Sequence, residues 1–269
     1  MKTYPALTVR IADADLLAIA VDDYSPTAIE PLDDGARVFF ATTADRDAAR
    51  LALAPRFDVA AVDVSDQDWA RRSQEDLQPV TVGRITVFAN PQSLIPNPRT
   101  GAIALVIAPS MGFGTGHHVT TRLCLEALQT IDLRDRTVLD VGTGSGILAI
   151  AAGRLGAARA LGIDTDADAI QSARENLAMN PAAAHVTLEV ADLTAAALPD
   201  ADVVVANLTG ALFVRAAERL VGAVRKEGVL IVSGLLVHER NMVVAALSGQ
   251  TLIWEREDEG WAGLAVKKS

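Results

Sequence analysis

The run from Val138 to Ala149 contains the residues best suited to binding chemistry. Its sequence, Val-Leu-Asp-Val-Gly-Thr-Gly-Ser-Gly-Ile-Leu-Ala, joins an apolar strand to a helix through three glycines. Glycine lets the backbone turn sharply and approach a ligand, and the amino end of the next helix points at the same place. Asp164 follows the next apolar stretch, where a carboxylate can accept both hydroxyl hydrogens of a ribose. This layout predicts a site for an adenosine-containing cofactor on a parallel sheet.

The spacing of these glycines separates two classes of cofactor. A dinucleotide-binding loop has the pattern G-x-G-x-x-G. Here the pattern is D-x-G-x-G-x-G, beginning at Asp140, and Ile147 occupies the position of the third dinucleotide glycine. The segment resembles motif I of the class I S-adenosylmethionine (SAM) methyltransferases. The resemblance implies that SAM is the cofactor and that Asp140 helps to position its methionine end.

Composition narrows the class of protein. The chain has 269 residues, of which 50% are hydrophobic, a net charge of -10 and a single cysteine, Cys124. The negative charge argues against direct binding to nucleic acid and suits a basic partner. One cysteine permits neither an internal disulfide nor a cysteine metal cluster. No uncharged apolar run approaches the length of a membrane helix, roughly 18 residues. We therefore expect a cytoplasmic protein that does not bind membranes.

Residues 1–90 have the pattern of a small α+β domain. Short apolar strands alternate with two helices, and Asp33-Asp34-Gly35 is a hairpin signal. This pattern predicts a two-layer, ferredoxin-like arrangement. The predicted elements are strands at 7–11, 25–32, 36–42 and 59–64 and helices at 13–20 and 46–53. A β segment at 80–89 follows, and residues 91–101, which lie after Asn90 and contain the pair Asn97-Pro98, are predicted to be a linker.

Residues 102–269 alternate strands and helices at βαβ lengths, which predicts a parallel sheet. The predicted strands are 137–141, 159–163, 185–190, 202–206, 228–233, 251–255 and 263–266, and the predicted helices are 147–155, 167–179, 211–224 and 237–247. Only seven residues separate the last two strands, so they should form a hairpin. A hairpin that inserts a seventh, antiparallel strand is typical of the class I methyltransferase sheet. We expect an α/β fold with this Rossmann-like sheet after the small first domain.

A second glycine-rich segment precedes the first strand of this sheet. Residues 113–121, Phe-Gly-Thr-Gly-His-His-Val-Thr-Thr, run into a helical pattern. They closely resemble the F-G-T-G-x-H-x-T-T segment of the ribosomal protein L11 methyltransferase family. Segments 203–208, 228–234 and 260–264 resemble further motifs of that family, so the resemblance covers nearly the whole chain. Residues 73–79 and 108–111 depart from the family pattern in segments that concern the protein substrate.

The resemblance assigns roles by motif position. Asn207 is expected to face the transferred methyl group and to position the acceptor amine, which makes it the candidate catalytic residue. Asp192, after the third strand, matches an acid that meets the adenine amine, and its alternative is an exposed loop acid. The residues expected to contact SAM, besides Asp192, are Thr121, Gly142, Gly144, Asp164 and Asn207.

The adjacent histidines 117 and 118 do not predict a metal site. The other histidines, His185 and His238, lie in different segments, and no acidic residue is spaced like a ligand. His118 is expected to order its loop or touch the substrate, and capping of the following helix is the alternative.

The resemblance implies transfer of a methyl group from SAM to amines, α-amines or lysines, of ribosomal protein L11. The basic surface of such a substrate would suit the acidic first domain, a substrate-recognition domain in the family. A related protein-lysine or small-molecule N-methyltransferase is the alternative of the same chemistry. An NAD-dependent dehydrogenase and a noncatalytic SAM-binding module are alternatives from other classes. The glycine spacing disfavours the first and Asn207 disfavours the second.

Overall fold

A computed structural model describes residues 3–10, 17, 21, 24, 26–32, 35–65, 78–91, 101–108, 116–195 and 197–269. The chain divides into two compact units, Met1–Glu75 and Asp76–Ser269. This division precedes the boundary expected between 90 and 101, so the β segment at 80–89 belongs to the second unit. Residues 92–100 of the predicted linker and Phe113–Thr115 lie outside the described residues, as does most of the helix predicted at 13–20.

The first unit contains a four-stranded antiparallel sheet and one described helix. Its strands pair in the order β2-β3-β1-β4, as expected for a ferredoxin-like arrangement. Alternate residues of β1, Leu7 and Val9, are buried with Phe40 of β3 and Leu53 of α1. The elements are β1 (Thr3–Arg10), β2 (Pro26–Leu32), β3 (Gly35–Phe40), α1 (Thr43–Leu53) and β4 (Asp58–Ser65).

The second unit begins with a three-stranded sheet that the sequence pattern did not resolve. The segment predicted as one β stretch is a hairpin, because Gly83 adopts a left-handed φ of 58° between its two strands. The side chain of Gln129 accepts from Arg84 N and donates to Val82 O, which fastens this turn to a helix. The strands are β5 (Val80–Val82), β6 (Ile85–Phe88) and β7 (Ile103–Val106).

The main sheet has seven strands in the order β10-β9-β8-β11-β12-β14-β13. The first five are parallel, and β14 lies antiparallel between β12 and β13. The predicted seven-stranded sheet with an inserted hairpin strand is therefore confirmed. Its strands are β8 (Thr137–Val141), β9 (Arg159–Asp164), β10 (Val186–Val190), β11 (Ala201–Asn207), β12 (Val224–Leu236), β13 (Thr251–Asp258) and β14 (Trp261–Lys267).

Helices cover both faces of this sheet, which explains why its central strands carry apolar residues on both faces. On β8, Val138 packs into one core, whereas Leu139 and Val141 pack into the other. The segment predicted as a helix at 237–247 begins with a 3₁₀ turn, Val237–Glu239. The α-helices are α2 (Val119–Gln129), α3 (Ile147–Arg154), α4 (Ala167–Ala178), α5 (Gly210–Ala223) and α6 (Arg240–Ala246).

Parallel strands β8, β9 and β11 are neighbours, so their carboxyl ends meet at one edge of the sheet. A ligand site is expected at this edge in an open α/β sheet. Within the described residues, no helix is long and apolar enough to cross a membrane.

Lys268 caps the end of α5 from a distant part of the chain. Its Nζ donates to the carbonyl oxygens of Val221 at 2.9 Å, Gly222 at 3.3 Å and Val224 at 2.6 Å. Carbonyls in the last helical turn lack partners within the helix, and a cation there interacts favourably with the helix dipole. Lys268 therefore attaches the end of the chain to α5.

We expect Lys268→Met to lower the free energy of unfolding by about 1–2 kcal/mol, because the carbonyls at the end of α5 lose their donor. Urea denaturation measures this change. Lys226, which is exposed, provides the control: Lys226→Met should change stability by less than about 0.5 kcal/mol. Equal effects of the two substitutions would contradict the capping role.

Candidate cofactor site

The loop between β8 and α3 requires glycine at three alternate positions. Gly142, Gly144 and Gly146 have left-handed φ values of 72°, 52° and 80°. Residues with a side chain rarely adopt this conformation. A Cβ on Gly142 would also lie 2.7 Å from Cδ2 of Leu208. The D-x-G-x-G-x-G spacing therefore reflects both backbone conformation and a close approach to the neighbouring loop.

Two carboxylates hold this loop in place. Oδ2 of Asp140 accepts from Thr143 Oγ1 at 2.5 Å and from Ala149 N, in α3, at 3.1 Å. Oδ2 of Asp164 accepts from Gly144 N at 2.9 Å. The loop is therefore attached to the ends of both β8 and β9.

Asp140 lies beneath the loop and is only 1% exposed. Burial raises its pKa to about 6, although the hydrogen bonds from Thr143 and Ala149 favour the charged form. Within the described part of the chain, no donor reaches its buried Oδ1. The structure thus shows Asp140 supporting the loop, and its expected action on the methionine end of a cofactor stays a prediction.

Asp164 stands at the end of β9 with acceptor capacity to spare. Its Oδ2 accepts from Gly144 N, and its Oδ1 accepts from Asp166 N at 3.0 Å. Because a carboxylate can accept about four hydrogen bonds, each oxygen retains room for another donor. Two donors from a ribose diol fit this arrangement.

Two neighbouring cavities lie at this edge of the sheet, with volumes of about 620 and 310 Å³. The two cavities share four lining residues and are therefore treated as two ends of one binding region. The shared residues are Gly142, Asp164, Leu208 and Leu212. The predicted residues in the larger cavity are Thr121, Gly142, Gly144, Asp164 and Asn207. The smaller cavity contains Asp192. The structure therefore brings all six residues to the same edge of the sheet.

Asp192 lies at the solvent-exposed rim of the smaller cavity. Its Oδ1 accepts from the backbone N and the Oγ1 of Thr194, both at 2.7 Å. These hydrogen bonds lower the pKa of Asp192, so the carboxylate is charged at neutral pH. The residue is thus both an exposed loop acid and part of a cavity wall, which leaves contact with an adenine amine as a prediction.

Asn207 ends β11 and reaches across the larger cavity to α2. Its Nδ2 donates to Oγ1 of Thr121, with 3.5 Å between the two atoms. The Oδ1 of Asn207 is buried, and in the part of the chain that the structure describes no donor reaches it. A buried acceptor without a donor is costly, and a ligand N–H would satisfy it.

His118 caps the start of α2 and lines the larger cavity. Its Nδ1 contacts Oγ1 of Thr120 at 2.8 Å and accepts from Thr120 N at 3.3 Å. Its ring meets that of Trp261 edge to face, with 5.0 Å between ring centres. Burial lowers the pKa of His118, so the ring is neutral at neutral pH. The capping alternative is therefore observed, and His118 also remains available to the cavity.

Sequence reasoning gave no site role to several cavity residues. Gly234 lines the larger cavity with a φ of 86°, and a Cβ there would lie 2.4 Å from Leu208 O. Leu212 of α5 and Trp261 of β14 form apolar parts of the walls. Trp261 lies in the segment 260–264 that resembles a family motif. Its position in the cavity follows from its place at the start of the inserted strand β14. Among the described residues, no cluster of metal-ligating side chains occurs.

The site fits SAM by the chemistry of its donors and acceptors. Asp164 suits a ribose diol, Gly142 has no side chain where the loop meets Leu208, and Asn207, whose Oδ1 has no described donor, lines the same cavity. The seven-stranded sheet with its inserted antiparallel strand supplies the matching fold. These features define a class I SAM-dependent methyltransferase.

Comparisons with known proteins identify the family. The family model for ribosomal protein L11 methyltransferase (PrmA) matches residues 15–269, and the chain belongs to this family. A ribosomal protein L11 methyltransferase of Pseudomonas aeruginosa is 41% identical over 210 residues, which cover 77% of this chain and 69% of the relative. That of Deinococcus radiodurans is 41% identical over 209 residues, covering 74% and 75%. The chain is thus an enzyme that transfers methyl groups, and SAM is its cofactor.

A solved structure agrees with this assignment. The crystal structure of ribosomal protein L11 methylase from Lactobacillus delbrueckii subsp. bulgaricus is 26% identical, with a TM-score of 0.65. The match covers 72% of this chain and 99% of that chain. The chain is therefore not an NAD-dependent dehydrogenase.

Asp140 should make the stability of the SAM-free protein depend on pH. Its folded pKa of about 6 exceeds the ordinary value of 3.8, so it stabilises the fold at low pH. That contribution is lost as pH rises from about 4 to about 6, by up to about 3 kcal/mol. In urea denaturation, the stability of Asp140→Asn relative to the native protein should rise by a similar amount over this range. Parallel pH curves for the two proteins would contradict this assignment.

Proposed function

We propose that this chain methylates amino groups, α-amines or lysines, of ribosomal protein L11. Family membership supports the substrate, since both curated relatives described above carry the name of an L11 methyltransferase. The observation that carries the chemistry is the buried Oδ1 of Asn207, an acceptor without a described donor in the larger cavity. The N–H groups of an acceptor amine can donate the hydrogen bond that this oxygen lacks.

The cofactor is held by the residues already located around the two cavities. Asp164 would accept from the ribose hydroxyls, and Asp192 would accept from the adenine amine. Gly142 and Gly144 let the backbone approach closely, while Thr121 and Asn207 close the opposite wall. When bound, SAM supplies a methyl group that is electrophilic because its sulfur is positively charged. The protein therefore has to position the acceptor and keep it reactive.

The acceptor nitrogen must be neutral to attack. An α-amine with a pKa of about 7.7–8.0 is roughly one third neutral near pH 7.5, whereas a lysine with a pKa of about 10.4 is about a thousandfold disfavoured. Burial in the cavity lowers the pKa of an amine. The neutral amide of Asn207 accepts an N–H of the amine without favouring the ammonium form, as a carboxylate would.

We further propose that the acidic first unit binds the basic substrate. Residues 1–75 contain fourteen Asp and Glu against eight Lys and Arg. Complementary charge speeds association with a basic protein. We also propose a cytoplasmic location, where a ribosomal protein is met, and no direct binding of nucleic acid by a chain of net charge -10.

Calorimetry and mass spectrometry test this function together. The purified chain should bind SAM, and incubation with SAM and purified L11 should increase the mass of L11 in steps of one methyl group. Free lysine, small amines and unrelated basic proteins serve as controls. Methylation of these compounds, with L11 unchanged, would favour a related N-methyltransferase with another target. Binding of SAM without transfer to any acceptor would favour a noncatalytic module.

Asn207→Asp should separate binding from chemistry. The new carboxylate favours the ammonium form of the acceptor, so we expect the methylation rate at pH 7.5 to fall about 10- to 100-fold. The affinity for SAM should be retained, because Asp164 and the glycine loop are unchanged. The rate with saturating SAM and calorimetry measure the two quantities.

Asn241→Asp provides a matched control, since it makes the same change of charge at an exposed position. Its rate and SAM affinity should equal those of the native enzyme. Unchanged turnover in Asn207→Asp would remove the proposed role of Asn207 in positioning the amine.

A further inference from the structure

Two buried asparagines lie one turn apart, Asn176 in α4 and Asn180 just beyond its end. They are 1% and 2% exposed, although asparagine is usually found at the surface. Asn180 pairs with the end of β7 as a neighbouring strand would. Its Oδ1 accepts from Val106 N at 3.0 Å, and its Nδ2 donates to Val106 O at 2.7 Å.

Asn176 joins two segments that are far apart in sequence. Its Oδ1 accepts from Ala108 N, and its Nδ2 donates to Ser145 O, both at 2.9 Å. Ser145 belongs to the glycine loop, whereas Ala108 follows β7. The Nδ2 of this side chain therefore bonds the glycine loop, and its Oδ1 bonds the segment that follows β7.

The bond to Ser145 acts on a carbonyl of the glycine loop that lies just before α3. Gly146 is the N-cap of α3, so the carbonyl of Ser145 lies outside the helix. The neighbouring residue, Gly144, donates its N–H to Asp164. Asn176 thus fixes the Ser145–Gly146 peptide, which one peptide separates from the Thr143–Gly144 peptide whose N–H bonds Asp164. A shift of the fixed peptide would displace Gly144, which lines the larger cavity.

We propose that Asn176 is a positioning residue of the SAM site, which holds the glycine loop and the end of β7 at a fixed separation. This inference rests on the cofactor site described above. Asn180 shares the burial of Asn176, but its described side-chain bonds go to Val106 of β7 and to the backbone O of Asn176, not to the glycine loop. A comparison of variants at the two positions therefore distinguishes an effect on the SAM site from a general loss of stability.

Matched substitutions test the proposal. Asn176→Asp keeps the acceptor for Ala108 N but places an oxygen against Ser145 O. Asn180→Asp makes the equivalent change beside Val106 O and the backbone O of Asn176. We expect both variants to lose stability in urea. Calorimetry should show SAM affinity about tenfold weaker for Asn176→Asp, and within about threefold of native for Asn180→Asp.

Hydrogen exchange of the native protein gives a second readout that needs no variant. S-adenosylhomocysteine should protect the backbone amides of 106–108 and of 144–146 together, because Asn176 connects them. Protection confined to 144–146 would overturn the proposal. The proposal would also be overturned if both variants lost SAM affinity equally and in proportion to their loss of stability. A native chain that does not bind SAM would overturn both the site assignment and this inference.

Discussion

The cofactor site depends on one conformation of the loop between β8 and α3. The loop must turn through three left-handed glycines while presenting no side chain at Gly142. Such a backbone is flexible by itself, since glycine loses more conformational freedom on folding than any other residue. Hydrogen bonds to Asp140, Asp164 and Asn176 remove this freedom. Each of these three side chains comes from a different element, so the loop takes its shape from the assembled sheet and helices.

The parallel sheet explains why those elements meet. Adjacent strands β9, β8 and β11 end at the same edge, which brings Asp164, the glycine loop and Asn207 together. The antiparallel strand β14 begins at this edge and delivers Trp261 to the cavity. Its pairing with β12 is interrupted near Gly234, where the absence of a side chain lets β12 pass close to Leu208. The hairpin therefore contributes to the wall of the cavity that the glycine loop also lines.

Sequence predicts the parts of the site that have a local signal. Both ends of β8 were predicted, because an apolar run stops at Gly142, and the six candidate residues reach one edge of the sheet. Asn176 was not predicted, since an asparagine within a helix usually faces solvent and its burial depends on the distant segments at 106–108 and 145. The hairpin at Gly83 was also missed, because a single glycine in an apolar stretch is compatible with one strand. The features that sequence patterns did not predict therefore depend largely on contacts between segments that are distant in sequence.

Charge is distributed unevenly around the two cavities, and this distribution is consistent with amine methylation. Asp164 and Asp192 line the two cavities, and Asp140 lies buried beneath the glycine loop. Asp164 lies close enough to contribute to the raised pKa of Asp140, so a cationic ligand would relieve repulsion between them. At the end of β11 the chain instead carries a neutral amide, Asn207. A carboxylate there would hold an acceptor amine as an ammonium ion, which cannot attack the methyl group, so a neutral amide suits the proposed transfer.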